Sequence, residues 1–178
     1  MLVADSDKIA LHTFSADQSF DWEQSMLGNF DLELSKAQRV ITWNGFSFDV
    51  PLLMLRALKH CVPMRSLESN WGYRFRDYHY DMKDRLGQYG FKQDIRLEGV
   101  ARLLGLPGKQ DIDGSQVKDC WERSEYARVR EYCESDVIQT YLIYLRYVQV
   151  LYGYDTAEMY QRVYDQWVKK DLGYRTEP

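Results

Sequence analysis

The stretch Asn44-Gly45-Phe46-Ser47-Phe48-Asp49-Val50-Pro51 joins an apolar run to a helical pattern and places an acidic residue at the junction. The run before it, residues 39–43, has the β-branched and aromatic composition of a buried strand that ends in a tight turn. The pattern after it predicts a helix over 49–61, since a proline near the first turn costs no internal hydrogen bond. A strand, a turn and a helix in this order predict an α/β layer.

Asp49 has two interpretations. Ligands gather at the carboxyl ends of strands in open α/β sheets, so a carboxylate there is well placed to bind a divalent metal ion. The same side chain at a helix start could instead cap the helix, near the positive end of its dipole. This segment alone leaves both open.

The rest of the chain predicts short strands first and long helices later. The further predicted elements are a hairpin over 1–14, a helix over 22–36, a strand over 78–82, a helix over 96–104, an amphipathic helix over 125–152 and another helix after Gly153. In that last helix Tyr160, Val163, Tyr164 and Trp167 share a face. We therefore predict an α/β domain over 1–152 with a helix-rich second half, and a C-terminal helical extension over 153–178.

Composition excludes several classes of protein. With 23 Lys and Arg against 27 Asp and Glu, the formal net charge is −4, which argues against coating of nucleic acid by bulk positive charge. Three cysteines without a C-x-x-C pair indicate neither a disulfide framework nor a thiolate zinc site. No apolar run approaches the roughly 18 residues of a membrane span, and no leader pattern begins the chain. We expect a cytoplasmic protein without membrane contact; the sequence indicates no oligomeric state.

A second candidate site lies inside the long predicted helix. Spacing of four residues places Tyr132 and Asp136 one turn apart on the same face, whereas Glu134 points elsewhere. A carboxylate can bind Mg²⁺ or Mn²⁺, and a neighbouring phenol can orient an attacking water. The alternative is a core tyrosine beside a surface aspartate.

Together the two segments resemble the DnaQ-like, or DEDD, 3′–5′ exonucleases, in the branch related to the exonuclease domain of DNA polymerase B. Residues 44–51 are similar to the second motif of that family, and Tyr132-x-x-x-Asp136 is similar to the third motif in its tyrosine (DEDDy) form. The resemblance implies a ribonuclease H-like mixed sheet flanked by helices. It also implies a 3′–5′ exonuclease that releases nucleoside 5′-monophosphates from single-stranded nucleic acid, with DNA the favoured substrate.

The resemblance further implies four carboxylates that hold two divalent metal ions, Mg²⁺ or Mn²⁺. Carried over by position, Asp49 and Asp136 would be metal ligands, and Tyr132 would orient the water, since a phenol with a pKa of about 10 is a poor base at neutral pH. Asn44 and Phe48, in the second-motif segment, are expected to contact substrate.

The first motif of the family, an Asp-x-Glu on the first strand, has no counterpart on any predicted strand before Asn44. The usual first strand is therefore absent from this sequence, and three interpretations remain. An upstream segment could carry the missing carboxylates. Asp5 and Asp7, which share a face if extended, could replace them, although a polar turn explains them equally. Finally, the protein could be a catalytically impaired module that binds nucleic acid or another protein.

Aromatic and basic residues alternate between the two predicted strands. Aromatic faces stack on unpaired bases while arginines hold phosphates, which is how single strands are bound without reading sequence. The alternative is that these aromatics pack in the core, and that Lys109, in a Gly-Lys loop, is simply solvated. The candidate substrate contacts here are Trp71, Tyr73, Arg74, Arg76 and Lys109.

Two acidic residues lie in family-like segments without matching a catalytic position. Asp81, at the end of the predicted strand 78–82, is expected to cap a helix or close a turn. Asp113 lies in one of these segments and is given no catalytic role. The histidines fit no metal-ligand spacing and are expected to be structural.

Overall fold

A computed structural model describes residues 1–4, 8–14, 22–67, 78–90, 94–107 and 112–168. The fold is mixed α/β, with small sheets and many helices. The chain divides into two compact units, one comprising residues 1–13 with 94–178 and the other residues 14–93. In the described ranges, no helix is both long and apolar enough to cross a membrane.

The predicted N-terminal hairpin is confirmed. Strands β1 (Leu2–Ala4) and β2 (Ile9–Leu11) pair antiparallel, with Leu2 opposite Leu11. The expected turn, with Asp5 and Asp7, lies outside the described residues.

The unit 14–93 contains a two-stranded parallel sheet and two packed helices. Its elements are α1 (Trp22–Leu34), β3 (Val40–Thr42), α2 (Asp49–His60), β4 (His79–Asp81) and the short α3 (Met82–Leu86). Strands β3 and β4 are in register from Val40 opposite His79 to Thr42 opposite Asp81. Because the strands are parallel, their carboxyl ends lie side by side, and the residues that follow β3 meet those that follow β4.

The core of this unit forms between α1, α2 and the segment after α2. Buried Leu34, Val50 and Leu67 are its centre, and Phe30 and Leu53 pack against them. Leu34 ends α1, and Val50 is the second residue of α2. Burial of these side chains therefore fixes the C-terminal end of α1 and the N-terminal end of α2 next to the sheet.

An ion-pair group joins the outer ends of α1 and α2. The Glu23 carboxylate accepts from both Arg56 and His60, with Nε2 of His60 at 2.6 Å. The hydrogen bond from Arg56 is the main reason why the pKa of Glu23 falls to about 2. The His60 ring is thus structural, as expected.

The described residues of the other unit form four α-helices. After α4 (Leu97–Leu103) and α5 (Val117–Glu122) come the long α6 (Tyr126–Tyr152) and α7 (Ala157–Val163). Helix α6 ends where Gly153 adopts a left-handed φ of 69°, the conformation that glycine adopts most easily at a helix end. Helices α3 and α5 have no counterpart in the sequence prediction, because five or six residues are too few to show a helical period.

The chain after α6 folds back onto it. The Thr156 hydroxyl donates to the carbonyl of Leu145 at 3.0 Å, and the Arg146 guanidinium lies 4.0 Å from the ring centre of Tyr160. Residues Tyr164–Val168 form a π-helical turn, in which the hydrogen bond spans five residues. Val163 and Val168 are buried, whereas Trp167, which the helical pattern places on the same face as Val163, is half-buried.

Candidate functional site

The turn that leads to Asp49 leaves β3 with a tight left-handed bend. Asn44 has a φ of 65°, a conformation that asparagine tolerates better than most residues. Gly45 follows, and a Cβ at this position would lie 2.3 Å from Oγ1 of Thr42. Glycine is therefore required here by space.

The backbone of this turn is bonded directly into the start of α2. The carbonyl of Asn44 accepts from the amides of Ser47 and Phe48, at 3.2 and 3.0 Å. The carbonyl of Gly45 accepts from the amide of Val50 at 2.9 Å. These bonds fix the position of Asp49, which stands between two of the bonded amides.

Asp81 holds the other side of the same turn. Its Oδ1 accepts from the Asn44 amide at 2.9 Å and its Oδ2 from the Phe46 amide at 3.0 Å. The same carboxylate caps α3 through the amides of Lys83 and Asp84. The expectation that Asp81 caps a helix or closes a turn is confirmed, but sequence reasoning missed its contact with a segment more than thirty residues away.

The side chain of His79 contacts those of Thr42 and Phe46 at the turn. The rings of Phe46 and His79 lie 4.1 Å apart between centroids, and Nε2 of His79 lies 2.7 Å from Oγ1 of Thr42. His79 is 1% exposed. Its role is structural, as the sequence predicts.

Asp49 is the first residue of α2, and Phe48 occupies the N-cap position without a side-chain capping bond. The helix-cap interpretation of Asp49 is therefore not what the structure shows. Burial raises the pKa of Asp49, a hydrogen bond from its own backbone amide opposes that shift, and the negative charge of Asp81 adds to it. A positive ion bound to this carboxylate would favour its charged form and so oppose both effects that raise the pKa of Asp49.

Phe48 presents its ring to solvent beside Asp49. Its side chain is 61% exposed, which is unusual for a phenylalanine. Asn44 is half-buried in the turn. Both candidate substrate contacts of this segment thus lie next to the candidate metal ligand.

Tyr132 and Asp136 meet on α6 as their spacing predicts. Burial is the largest cause that raises the pKa of Tyr132, followed by the charge of Asp136 and a hydrogen bond with it. Weaker contributions come from Cys133 and Asp113. The phenol is therefore held protonated against a carboxylate, as an orienting group requires.

A closed turn before α5 lies against the Tyr132 hydroxyl. A Cβ at Gly114 would lie 3.5 Å from that oxygen. The turn is fastened by Asp113, whose Oδ1 accepts from the Ser115 amide at 2.7 Å and whose own amide donates to Oε1 of Gln116 at 3.0 Å. Neither this turn nor its contact with Tyr132 was predicted from the sequence.

Glu134 belongs to a different face of α6, as its spacing predicts. Its carboxylate accepts from the hydroxyl of Thr13, just beyond β2, and so fastens the N-terminal hairpin to α6.

The candidate residues are divided between the two units. Asp49 lies in the unit 14–93, whereas Tyr132 and Asp136 lie in the other. The candidates outside the described residues are Asp5, Asp7, Trp71, Tyr73, Arg74, Arg76 and Lys109.

Comparison with known families adds a decisive observation. A family model for predicted 3′–5′ exonucleases related to the exonuclease domain of PolB matches residues 1–174. The chain belongs to this family. The resemblance inferred from the two motif segments is thereby confirmed. No curated protein and no solved structure matched the chain.

Membership of this exonuclease family predicts a nuclease, a hydrolase that binds nucleic acid. Exonucleases generally use divalent metal ions, and carboxylate oxygens are the donors that Mg²⁺ and Mn²⁺ prefer. Over 1–4, 8–14, 22–67, 78–90, 94–107 and 112–168, no three His, Cys, Asp or Glu side chains converge on one point. The donor chemistry of Asp49 and Asp136 fits such an ion, and a full ligand set requires carboxylates beyond these two.

Proposed function

We propose that the protein is a metal-dependent 3′–5′ exonuclease that acts on single-stranded ends, with DNA the favoured substrate, and releases nucleoside 5′-monophosphates. The observation that carries the proposal is the hydrogen-bonded pair of Tyr132 and Asp136, one turn apart on α6, in a chain of the exonuclease family. We further propose that the chain has a ribonuclease H-like fold.

Tyr132 orients the attacking water in this proposal. At neutral pH even an unperturbed phenol is protonated, since its pKa is about 10. The hydroxyl can therefore accept a hydrogen bond from a water and donate one to Asp136, but it cannot remove a proton efficiently. Gly114 leaves the space in front of this hydroxyl open, because its position carries no side chain.

Asp49 and Asp136 are the proposed metal ligands, with Mg²⁺ or Mn²⁺ as the metal. Such ions would supply an activated water and stabilise the charge on the phosphate and on the leaving 3′-oxygen. Asp5 and Asp7 are the candidates within this sequence for the remaining ligands.

The strand is bound, in this proposal, by aromatic faces and basic side chains. Phe48 is exposed beside Asp49, so its ring can stack on the terminal base. Asn44 could donate to the same nucleotide from the turn. The other proposed contacts are Trp71, Tyr73, Arg74, Arg76 and Lys109.

A catalytically impaired module that binds nucleic acid is the second candidate function. It is favoured by one observation, that the described residues bring no three metal-binding side chains together. The two functions differ in whether phosphodiester bonds are cut, so one assay separates them.

That assay is Mn²⁺-dependent degradation of a 5′-labelled single-stranded DNA, with EDTA as a control. We expect stepwise shortening from the 3′ end that is lost in Asp136→Asn and strongly reduced in Tyr132→Phe. Matched controls on the same helix are Glu131→Gln and Tyr126→Phe, which alter exposed side chains and should leave the rate unchanged.

Cleavage by Asp136→Asn at the unaltered rate would refute the proposed site. Binding of the oligonucleotide without cleavage, by a folded chain supplied with Mn²⁺, would establish the impaired module instead. An RNA strand of the same sequence tests the preference for DNA.

A further inference from the structure

The position of Asp49 depends on a turn whose own hydrogen bonds do not satisfy all of its amides. Asn44 adopts a left-handed conformation, which asparagine tolerates better than most residues but which still costs free energy. The amides of Asn44 and Phe46 both donate to Asp81. The turn therefore needs the acceptor that Asp81 provides.

The Asp81 carboxylate is almost wholly buried, with 3% of its surface exposed. Four backbone amides donate to it, two from the turn and two from the start of α3. Bonds to a charged acceptor are stronger than those to a neutral one. Asp81 therefore joins the turn 44–46 to the start of α3, two segments that are distant in the sequence.

The parallel pairing of β3 and β4 explains why this residue performs the task. Thr42 and Asp81 are opposite each other in the register and are the last residues of their strands. A carboxylate at the end of β4 therefore faces the residues that leave β3. The same pairing brings Asp81 close enough to Asp49 for its negative charge to raise the pKa of the Asp49 carboxyl.

A continuous path of hydrogen bonds runs from Asp81 to the two sides of Asp49. The amides of Asn44 and Phe46 donate to Asp81, while the carbonyls of Asn44 and Gly45 accept from Phe48 and Val50. A change at Asp81 would thus move the residues on either side of Asp49 with the turn.

We propose that Asp81 is the positioning residue of the candidate active site: it fixes the turn 44–46 through two amides and so sets where Asp49 presents its carboxylate. This inference rests on the proposed function, in which Asp49 binds a metal ion. Asp81 is not a ligand in this proposal, because it is buried and its carboxylate already binds four backbone amides.

Two substitutions separate the contact with the turn from the cap of α3. In Asp81→Asn, the carbonyl oxygen can keep the three amides that donate to Oδ1, while the new NH₂ group opposes the Phe46 amide. In Asp81→Ser, the shorter side chain can still cap α3 but does not reach the turn. Asp31→Asn is the matched control, since Asp31 accepts one amide, that of Ser66, at 3.1 Å in the same unit.

The first readout is amide hydrogen exchange followed by NMR. In Asp81→Asn we expect protection of the Phe46 amide to fall by about 10-fold to 100-fold, as loss of a bond to a charged acceptor implies. The Lys83 amide should stay protected. In Asp81→Ser both Asn44 and Phe46 should lose protection, and Asp31→Asn should change neither.

The second readout is the broadening of the Asp49 amide signal by Mn²⁺ alone, which needs no turnover. Both Asp81 variants should require several-fold more Mn²⁺ for equal broadening. With DNA, kcat should fall by about 10-fold to 100-fold, because a displacement of about 1 Å has that effect. The KM for the oligonucleotide should rise by a smaller factor than kcat falls, because only Asn44 and Phe48 among the proposed strand contacts belong to the turn.

Unchanged protection at Phe46 in Asp81→Asn, or lost protection with unchanged Mn²⁺ broadening and kcat, would overturn the positioning role. A chain that shows Mn²⁺ broadening at Asp49, sensitive to Asp81, but cleaves no DNA would refute the exonuclease proposal and still support the positioning role. The two failures are thus distinguishable.

Discussion

Replacement of Gly45 by alanine should disrupt the turn that carries Asp49. The added Cβ would lie 2.3, 2.6 and 2.8 Å from Oγ1, Cβ and Cγ2 of Thr42, whereas ordinary contacts begin at 3.4 Å. The Cβ of Thr42, at 2.6 Å, is fixed to the backbone of β3, so a rotamer change that moves Oγ1 and Cγ2 cannot relieve the overlap. The turn or the strand must move by about 1 Å.

The cost of that movement can be worked out from overpacking. Forcing an extra carbon into a filled site costs about 1–3 kcal/mol, and strain on the amides that donate to Asp81 adds to it. With a urea dependence of about 2 kcal/mol per molar, we expect the unfolding midpoint to fall by about 1 M.

Urea unfolding followed by circular dichroism measures this shift, and Gly28→Ala is the matched control. Gly28 lies within α1 with nothing within 4 Å of its Cβ position, so alanine there should stabilise the helix by about 0.5–1 kcal/mol. The two substitutions should move the midpoint in opposite directions. A Gly45→Ala midpoint equal to that of the unaltered protein would refute the reasoning.

Two further predictions concern an ion pair and a loop. Glu23→Gln should lower the free energy of unfolding by about 1 kcal/mol near neutral pH. Because the pKa of Glu23 is about 2 in the folded protein against an ordinary value of 4.5, the contribution of this ion pair is lost as pH falls from 4.5 towards 2. Urea unfolding at about pH 6 and about pH 3 checks it, and an equal difference at both would contradict it. Gly114→Leu should lower kcat by about 10-fold by displacing the Tyr132 hydroxyl. Gly114→Ala should leave kcat nearly unchanged, because its Cβ would lie 3.5 Å from that hydroxyl, which is an ordinary contact. A Gly114→Leu variant with full kcat would count against this loop contact.

Sequence periodicity predicted the long elements well. Helices α1, α2 and α6 each show their apolar period over more than ten residues, and the hairpin shows two apolar runs around a polar turn. These signals are local, because side-chain direction follows from the spacing of residues within one element. The short α3 and α5 gave too few residues for such a signal.

The surroundings of Tyr132 include one contact that the sequence could predict and one that it could not. The pair of Tyr132 and Asp136 could be predicted because a helix places residues four apart on one face. The contact of Gly114 with Tyr132 could not, since a turn and a helix meet there through packing alone. The family membership of the chain also followed from motifs that the sequence displays directly.

The turn at Asp49 shows most clearly what only the tertiary structure decided. The sequence determined a strand, a tight turn and a helix that begins with an acidic residue, because these depend on local conformation. It left the role of Asp49 open between a cap and a ligand, and gave Asp81 no part in the turn. The parallel register of β3 and β4 decided the second point, since it brings Asp81 to the amides of Asn44 and Phe46 across more than thirty residues. Such pairing depends on which strands meet rather than on any one segment.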